Sequence, residues 1–200
     1  GADTPIILAA NGTTRDFFAI ERTYSNNPTR LAIIGSLKPV KQHEVAIRAI
    51  SLLDNITLDI AGEGDLRDDL EKLVSKLGLE SRVKFLGNVD NIPELLERTD
   101  LLLSTSAYEG MSTVAVEAQA SGIPVVGPDV PGIRDVVVHS QTGLLYSDHD
   151  PKIVASTIRR ALAFPTYTKL AEATRRHARQ YSIENSFAAQ LKVYKSALYS

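Results

Sequence analysis

Ser104-Thr-Ser-Ala-Tyr-Glu109-Gly-Met-Ser-Thr-Val-Ala-Val-Glu117-Ala-Gln-Ala-Ser-Gly122-Ile-Pro-Val-Val126 reads as a loop, a helix and a strand in succession. The stretch at about 112–121 is almost entirely small or apolar, the composition of a helix packed tightly between neighbours. Glu117 falls in the middle of it. A carboxylate there needs partners, because burying it unpaired costs several kcal/mol. Either a structural Arg or Lys or the diol of a ligand could supply them, since a carboxylate accepts two hydroxyl hydrogen bonds. Ahead of the helix, the N–H groups from Gly110 to Thr113 form a preset site for an anion or an oxygen.

The same strand–loop–helix rhythm extends in both directions. Strands are predicted at 31–35, 56–61, 83–86, 101–104, 123–126 and 143–146, with helices at 42–53, 65–77, 92–98, 112–121 and 131–138 between them. In the helix at 65–77, Leu66, Leu70, Leu73 and Val74 share one stripe. This alternation, with nearly continuous apolar strands, predicts an α/β domain: a Rossmann-like, doubly wound parallel sheet of about six strands with helices on both faces. From Asp150 onward the pattern is helical in about three pieces. The organisation expected is an approach segment over residues 1–30, a ligand-binding domain over 31–165 and C-terminal helices over 166–200. In the approach segment, Ile6-Ile-Leu8 allows a short strand and Asn11-Gly12 is a turn signal.

The 22 basic and 24 acidic residues are nearly balanced, which argues against a nucleic-acid binder. Cysteine is absent, so disulfides and zinc knuckles are excluded. No apolar run approaches a membrane span, and a reduced, cytoplasmic setting fits this composition. The single methionine is Met111, so the chain does not open on a retained initiator: either a methionine is excised ahead of Gly1 or the chain is cut from a longer protein, and the second is carried forward as the expectation.

In a doubly wound sheet, ligands bind beyond the carboxyl ends of the strands, so two further loops matter. Gly35-Ser-Leu-Lys-Pro-Val-Lys-Gln42 places Lys41 beside a helix N-terminus, where a cation is disfavoured unless an anion is also present. It is not a P-loop: Val40 stands where the second glycine belongs, and Gln42 where Ser or Thr does. Read alone, Lys38 and Lys41 are solvated loop lysines. Gly62-Glu-Gly64-Asp65 fails as a dinucleotide fingerprint because Arg67 replaces the third glycine, and it reads equally as a tight turn leading to an Asp65 cap. The four histidines make no metal-ligand spacing, and Asp148-His-Asp150 reads as a loop ending in a helix cap. Gly110-Met-Ser-Thr-Val lacks the last glycine of a nucleophile elbow.

Glu109 and Glu117, followed by Ala-Gln-Ala-Ser-Gly-Ile-Pro-Val-Val, resemble the E-x7-E motif of the retaining glycosyltransferases of family 4 (glycosyl transferases group 1), which have the GT-B fold. Gly35-Ser-Leu with Lys41 resembles the phosphate loop of that family. Gly62-Glu-Gly-Asp-Leu-Arg67, Val83-Lys-Phe-Leu-Gly87 and Asp129-Val-Pro-Gly-Ile-Arg134 match its other landmarks. Asn11-Gly-Thr-Thr-Arg-Asp-Phe17 resembles the segment leaving the N-terminal domain, so the chain looks like the C-terminal, donor-binding half.

The resemblance implies a nucleotide sugar of the UDP or GDP type as donor, no metal cofactor, and an acceptor domain that is missing from this chain. It implies that Glu117 binds the ribose hydroxyls and that Glu109 faces the donor sugar and diphosphate. Amides at Gly110, Met111 and Ser112 would meet sugar hydroxyls, with Thr113 and Val114 nearby. Lys41 would hold the diphosphate, and the backbone at Gly87 and Asn88 would meet the base. Lys41 and Glu109 are thus the expected catalytic pair. The family usually carries arginine where this chain has Ser36, which puts leaving-group stabilisation in doubt unless Arg134 or Lys38 compensates. A degenerate, non-catalytic nucleotide-binding or assembly partner is the competing reading. At the far end, Phe187, Leu191, Tyr194 and Leu198 form one apolar stripe, which either packs on the domain's own sheet or belongs to a helix that the resemblance returns to the N-terminal domain. The parent is expected to be cytoplasmic, with peripheral contact at the inner face of a membrane allowed.

Overall fold

The computed structural model describes residues 12–198. The strand expected at Ile6–Leu8 and the turn expected at Asn11–Gly12 begin outside that range.

The chain enters through α1 (Arg15–Ala19) and then alternates β1 (Arg30–Ile34), α2 (His43–Ser51), β2 (Thr57–Ala61), α3 (Arg67–Lys76), β3 (Val83–Gly87), α4 (Ile92–Glu97) and β4 (Leu101–Leu103). It continues with α5 (Thr113–Ala120), β5 (Val125–Pro128), α6 (Pro131–Arg134) and β6 (Gly143–Tyr146), and ends in α7 (Pro151–Leu162), α8 (Thr166–Ala178) and α9 (Ile183–Leu198). The six strands form one sheet in the order β3-β2-β1-β4-β5-β6. All five pairings are parallel, with Leu31 opposite both Leu58 and Leu101. The chain therefore winds outward from β1 in one direction and from β4 in the other, and a crevice opens where the winding reverses.

Side chains two apart along a strand share a face, and here the two faces feed two cores. Leu31, Ile33, Leu101 and Leu103 pack with Ile47 and Ile50 of α2, Leu70 and Val74 of α3 and Ile158 of α7. On the other side Leu102 and Val125 pack with Ala115, Val116 and Ala118 of α5 and with Ile133, Val136 and Tyr181. Beyond β1 that second face becomes polar: Thr57 and Lys84 are exposed and Asp59 pairs with Arg98 at 3.6 Å.

The observed boundaries sit within a few residues of those read from the sequence. The largest change is α6, which ends at Arg134 rather than near 138. The Asp150 cap is present, with its carboxylate accepting from the Lys152 N–H at 2.8 Å. The Asp65 cap is not: α3 starts after Leu66, with no side-chain cap. Backbone pairing takes its place, Leu37 N–H donating to Glu63 O at 2.9 Å and Leu66 N–H to Leu37 O at 3.2 Å, which draws the β2–α3 loop against the β1–α2 loop.

The described part of the approach segment is bound to the domain. Thr13 N–H donates to Tyr181 O at 2.8 Å and Ile183 N–H to Thr13 O at 3.0 Å. Arg22 donates to Leu96 O at 2.8 Å and also to Thr99 O, and Arg175 reaches back to Ile20 O at 2.8 Å and to Phe18 O. The stripe on α9 is not packed on the domain: Phe187 and Tyr194 are 66% and 69% exposed, and Leu191 is 42% exposed. The side chain of Leu198 lies outside the described residues.

Candidate functional site

Two loops meet over the crevice between β1 and β4. The turn Pro39–Lys41, closing the β1–α2 loop, ends in Gln42 with φ 48°, and α2 begins at His43. Ala107 N–H donates to Val40 O and Thr105 Oγ1 to Lys41 O, each at 2.8 Å, so the β4–α5 loop is stitched to the turn. These bonds hold Lys41 near the N-terminus of α2, where the helix dipole repels a cation. The compensating anion is Glu109: Lys41 Nζ lies 2.5 Å from Glu109 Oε1. The same oxygen accepts from Ser106 Oγ at 2.7 Å. Both charged side chains are largely covered, at 24% and 17% exposure, so water screens the pair only in part.

The pair stands in the wall of a cavity of about 110 Å3 whose other sides come from Gly35, Ser104 and Ser106 and from Met111, Ser112, Thr113 and Val114. The N-terminus of α5 opens onto it. Ser112 caps that helix, its hydroxyl accepting from the Ala115 N–H at 3.3 Å. In the first turn, the Thr113 and Val114 N–H groups have no carbonyl to meet within the helix. One expected donor is already used: Ser112 N–H bonds Gly132 O at 3.1 Å. That bond exists because α6 lies directly against the Glu109–Gly110 backbone, so closely that a Cβ on Gly132 would sit 1.4 Å from Gly110 O.

A second cavity of about 260 Å3 continues along the carboxyl ends of β1, β2 and β3, lined by Ser36, Glu63, Asn88 and Val89 among others. It shares Ile34 and Gly35 with the first. Gly87, the last residue of β3, has φ 69° and its carbonyl accepts from the Gly62 N–H at 2.7 Å. A Cβ on Gly62 would lie 2.0 Å from Gly35 O, so only glycine lets these two loops touch.

Ser36, Lys41, Glu109, Met111, Ser112, Thr113, Val114 and Asn88 thus line one crevice, while Gly87 and Gly110 precede the lining residues Asn88 and Met111 without lining either cavity themselves. Glu117 stands one turn beyond Thr113, on the face it shares with Thr113 and Val114 but outside the wall of the first cavity. It is half-buried, and burial raises its carboxyl above the ordinary value of 4.5. Among the described residues no side chain pairs with it, so it is not the member of a structural ion pair. Neither Arg134 nor Lys38 lines either cavity. Arg134 is instead engaged by Asp129, at 3.1 Å between Nε and Oδ1, and Lys38 is exposed.

Reading the sequence for metal spacing passed over His43. It lines the cavity with Lys41 yet is 1% exposed. Its signal is helical register: His43 precedes Ile47 by four residues and so lies on the buried stripe of α2. Burial, aided by the Lys41 charge, lowers its pKa to about 4, so the ring is neutral at neutral pH. Among the described residues no cluster of three or more His, Asp and Glu side chains could hold a metal ion. No described helix is long and apolar enough to cross a membrane.

Residues 14–181 match the family model described as Glycosyl transferases group 1. The chain is 34% identical over 176 residues to an uncharacterized glycosyltransferase of Methanocaldococcus jannaschii, covering 84% of this chain and 45% of that one. It is 31% identical over 217 residues to the D-inositol 3-phosphate glycosyltransferase of Salinispora arenicola, covering 99% and 48%. The chain therefore spans about half the length of the curated relatives it matches. Among solved structures, Anabaena HepE in complex with UDP and glucose aligns with TM-score 0.77 and 26% identity, covering 86% of this chain and 48% of that one. Sucrose-phosphate synthase of Thermosynechococcus elongatus shares the fold, with TM-score 0.85 at 24% identity, covering 96% and 53%. The Rossmann-like sheet matches those of GT-B glycosyltransferases. By the match over residues 14–181, the chain belongs to the glycosyl transferases group 1 family.

Proposed function

We propose that this chain is the donor-binding, C-terminal half of a family 4 GT-B glycosyltransferase, transferring a sugar from a UDP- or GDP-type nucleotide sugar with retained anomeric configuration. The observation that carries the reading is the Lys41–Glu109 pair, 2.5 Å apart at the mouth of α5 in the β1/β4 crevice. A diphosphate at this point meets a cation and the Thr113 and Val114 N–H groups at a helix N-terminus, both suited to an anion. In the reaction, the bond between the anomeric carbon and the diphosphate oxygen breaks, and its electron pair leaves with the diphosphate. The acceptor hydroxyl oxygen bonds to that carbon and its proton is released. Charge grows on the departing diphosphate, and Lys41 with the α5 amides stabilises it without a metal ion. HepE, to which this chain is similar, is solved in complex with UDP, which supports a nucleotide as the ligand.

Glu117, half-buried and without a side-chain partner among the described residues, is the group we assign to the ribose hydroxyls. Asn88 and the Gly87 backbone, beside the second cavity, are assigned to the base. The acceptor-binding half is proposed to lie upstream, outside these 200 residues, in keeping with the half-length match to the relatives. The parent is placed in the cytoplasm.

Titrating the purified chain with UDP, GDP, ADP and NAD, followed by NMR, tests the reading. Shifts of the Glu109–Glu117 amides with UDP or GDP, at an affinity of about 10 μM to mM, are expected. No shift with any of the four would overturn it. Transfer needs the acceptor aligned with the anomeric carbon, so the chain alone should be inactive where a longer form carrying the upstream domain turns over.

A further inference from the structure

Resting on the reading above, we infer that His43 is a diphosphate-binding residue, giving the phosphates a neutral hydrogen bond inside the cavity it shares with Lys41. Three observations converge on it. First, the imidazole is 1% exposed, and among the described residues neither Nδ1 nor Nε2 has a hydrogen-bond partner. An unsatisfied donor and acceptor inside a domain are costly, and an aliphatic side chain would serve the α2 stripe better if packing were the only demand. Second, the ring forms part of the wall of the cavity bounded by Lys41, Ser106, Glu109 and the α5 N-terminus. Third, the lysine in that wall is already matched by the Glu109 carboxylate at 2.5 Å. An incoming diphosphate carries more than one negative charge, so it must draw on uncharged N–H donors as well. The α5 amides are one source, and a neutral imidazole is another, since it always carries one N–H.

His43 also borders the groove between α2 and α3, so it stands as the partition between that groove and the donor cavity. Burial, with the Lys41 charge, keeps the ring neutral at neutral pH, which preserves the N–H without adding a repelled cation beside Lys41. A phosphate oxygen in the cavity would accept from the ring N–H.

The test compares wild type with His43→Leu and His43→Gln, titrated with UDP, GDP and the matching nucleosides. Leucine removes both ring nitrogens, and glutamine restores a donor and an acceptor. The leucine variant should lose about tenfold in diphosphate affinity and under about twofold for the nucleoside, with glutamine recovering most of the loss. Ring 15N shifts of His43 in wild type should move with UDP or GDP and not with the nucleoside, a readout that needs no variant to fold. Equal diphosphate affinities for wild type and His43→Leu, or ring shifts that do not respond, would overturn the inference while the nucleotide-binding reading survives. If wild type itself binds neither nucleotide, that reading fails and this one falls with it.

Discussion

Lys41 and Glu109 are separated by 68 residues in the chain and by 2.5 Å in space. The pair answers two needs at once. It neutralises a cation placed at the wrong end of α2, and it holds the β1–α2 and β4–α5 loops together across the crevice. Its geometry also means that the two charges compensate one another, so an anionic ligand must compete with Glu109 for Lys41.

Lys41→Ala should therefore weaken UDP or GDP binding by about 10–100-fold, the range for a hydrogen bond to a charged group, and leave nucleoside binding nearly unchanged. It also strands a mostly buried carboxylate that keeps only Ser106. Thermal or urea unfolding should show a loss of about 1–2 kcal/mol. Equal losses for nucleotide and nucleoside would place the lysine away from the phosphates.

Glu117→Gln should bind nucleotide about tenfold more weakly, because the charged diol acceptor is gone. Its effect on stability has a definite pH sign. Burial raises the folded-state pKa above the ordinary 4.5, so the unfolded chain gives up this proton first as pH rises. The stability due to the protonated group is complete below about 4.5 and fades as pH climbs through the raised value. The glutamine variant should match wild type near pH 4 and melt higher than wild type at neutral pH. Melting curves that stay parallel across this range would contradict the assignment.

Ser36→Arg should raise affinity for the diphosphate more than for the nucleoside, since a guanidinium adds a bidentate phosphate donor in the wall of the second cavity, next to Gly35, which the two cavities share. Calorimetry with UDP, GDP and their nucleosides checks it. Unchanged affinity would mean that this loop does not reach the phosphates.

Gly132→Ala should be among the most damaging single changes. Its Cβ would sit 1.4 Å from Gly110 O, a backbone atom that can yield only by moving the Glu109 loop. A loss of about 3 kcal/mol or more is expected, together with loss of nucleotide binding. Wild-type melting with wild-type binding would show that α6 and the loop are free to separate.

Phe187→Ser and Tyr194→Ser should each change stability by less than about 0.5 kcal/mol, because both side chains are already exposed on α9. A larger loss in urea unfolding of this chain would show that the stripe has an intramolecular contact.

The amino-acid sequence by itself determined the elements, their type and the fold class. Short, nearly continuous apolar runs and amphipathic helical stretches are local patterns, and local geometry suffices to read them. It also placed Lys41, Glu109 and Glu117 in loops or helices that follow strands, where such sheets bind ligands. The tertiary structure alone decided which of these residues touch. The order β3-β2-β1-β4-β5-β6 puts β1 beside β4, and only that adjacency brings Lys41 to Glu109 and the Gly35 loop to the α5 N-terminus. Right-handed crossovers limit the sheet orders available without selecting one. The same holds for Gly132 against Gly110, for the missing Asp65 cap and for the burial of His43. Each depends on atoms supplied by chain segments far away in sequence, which spacing and periodicity do not encode.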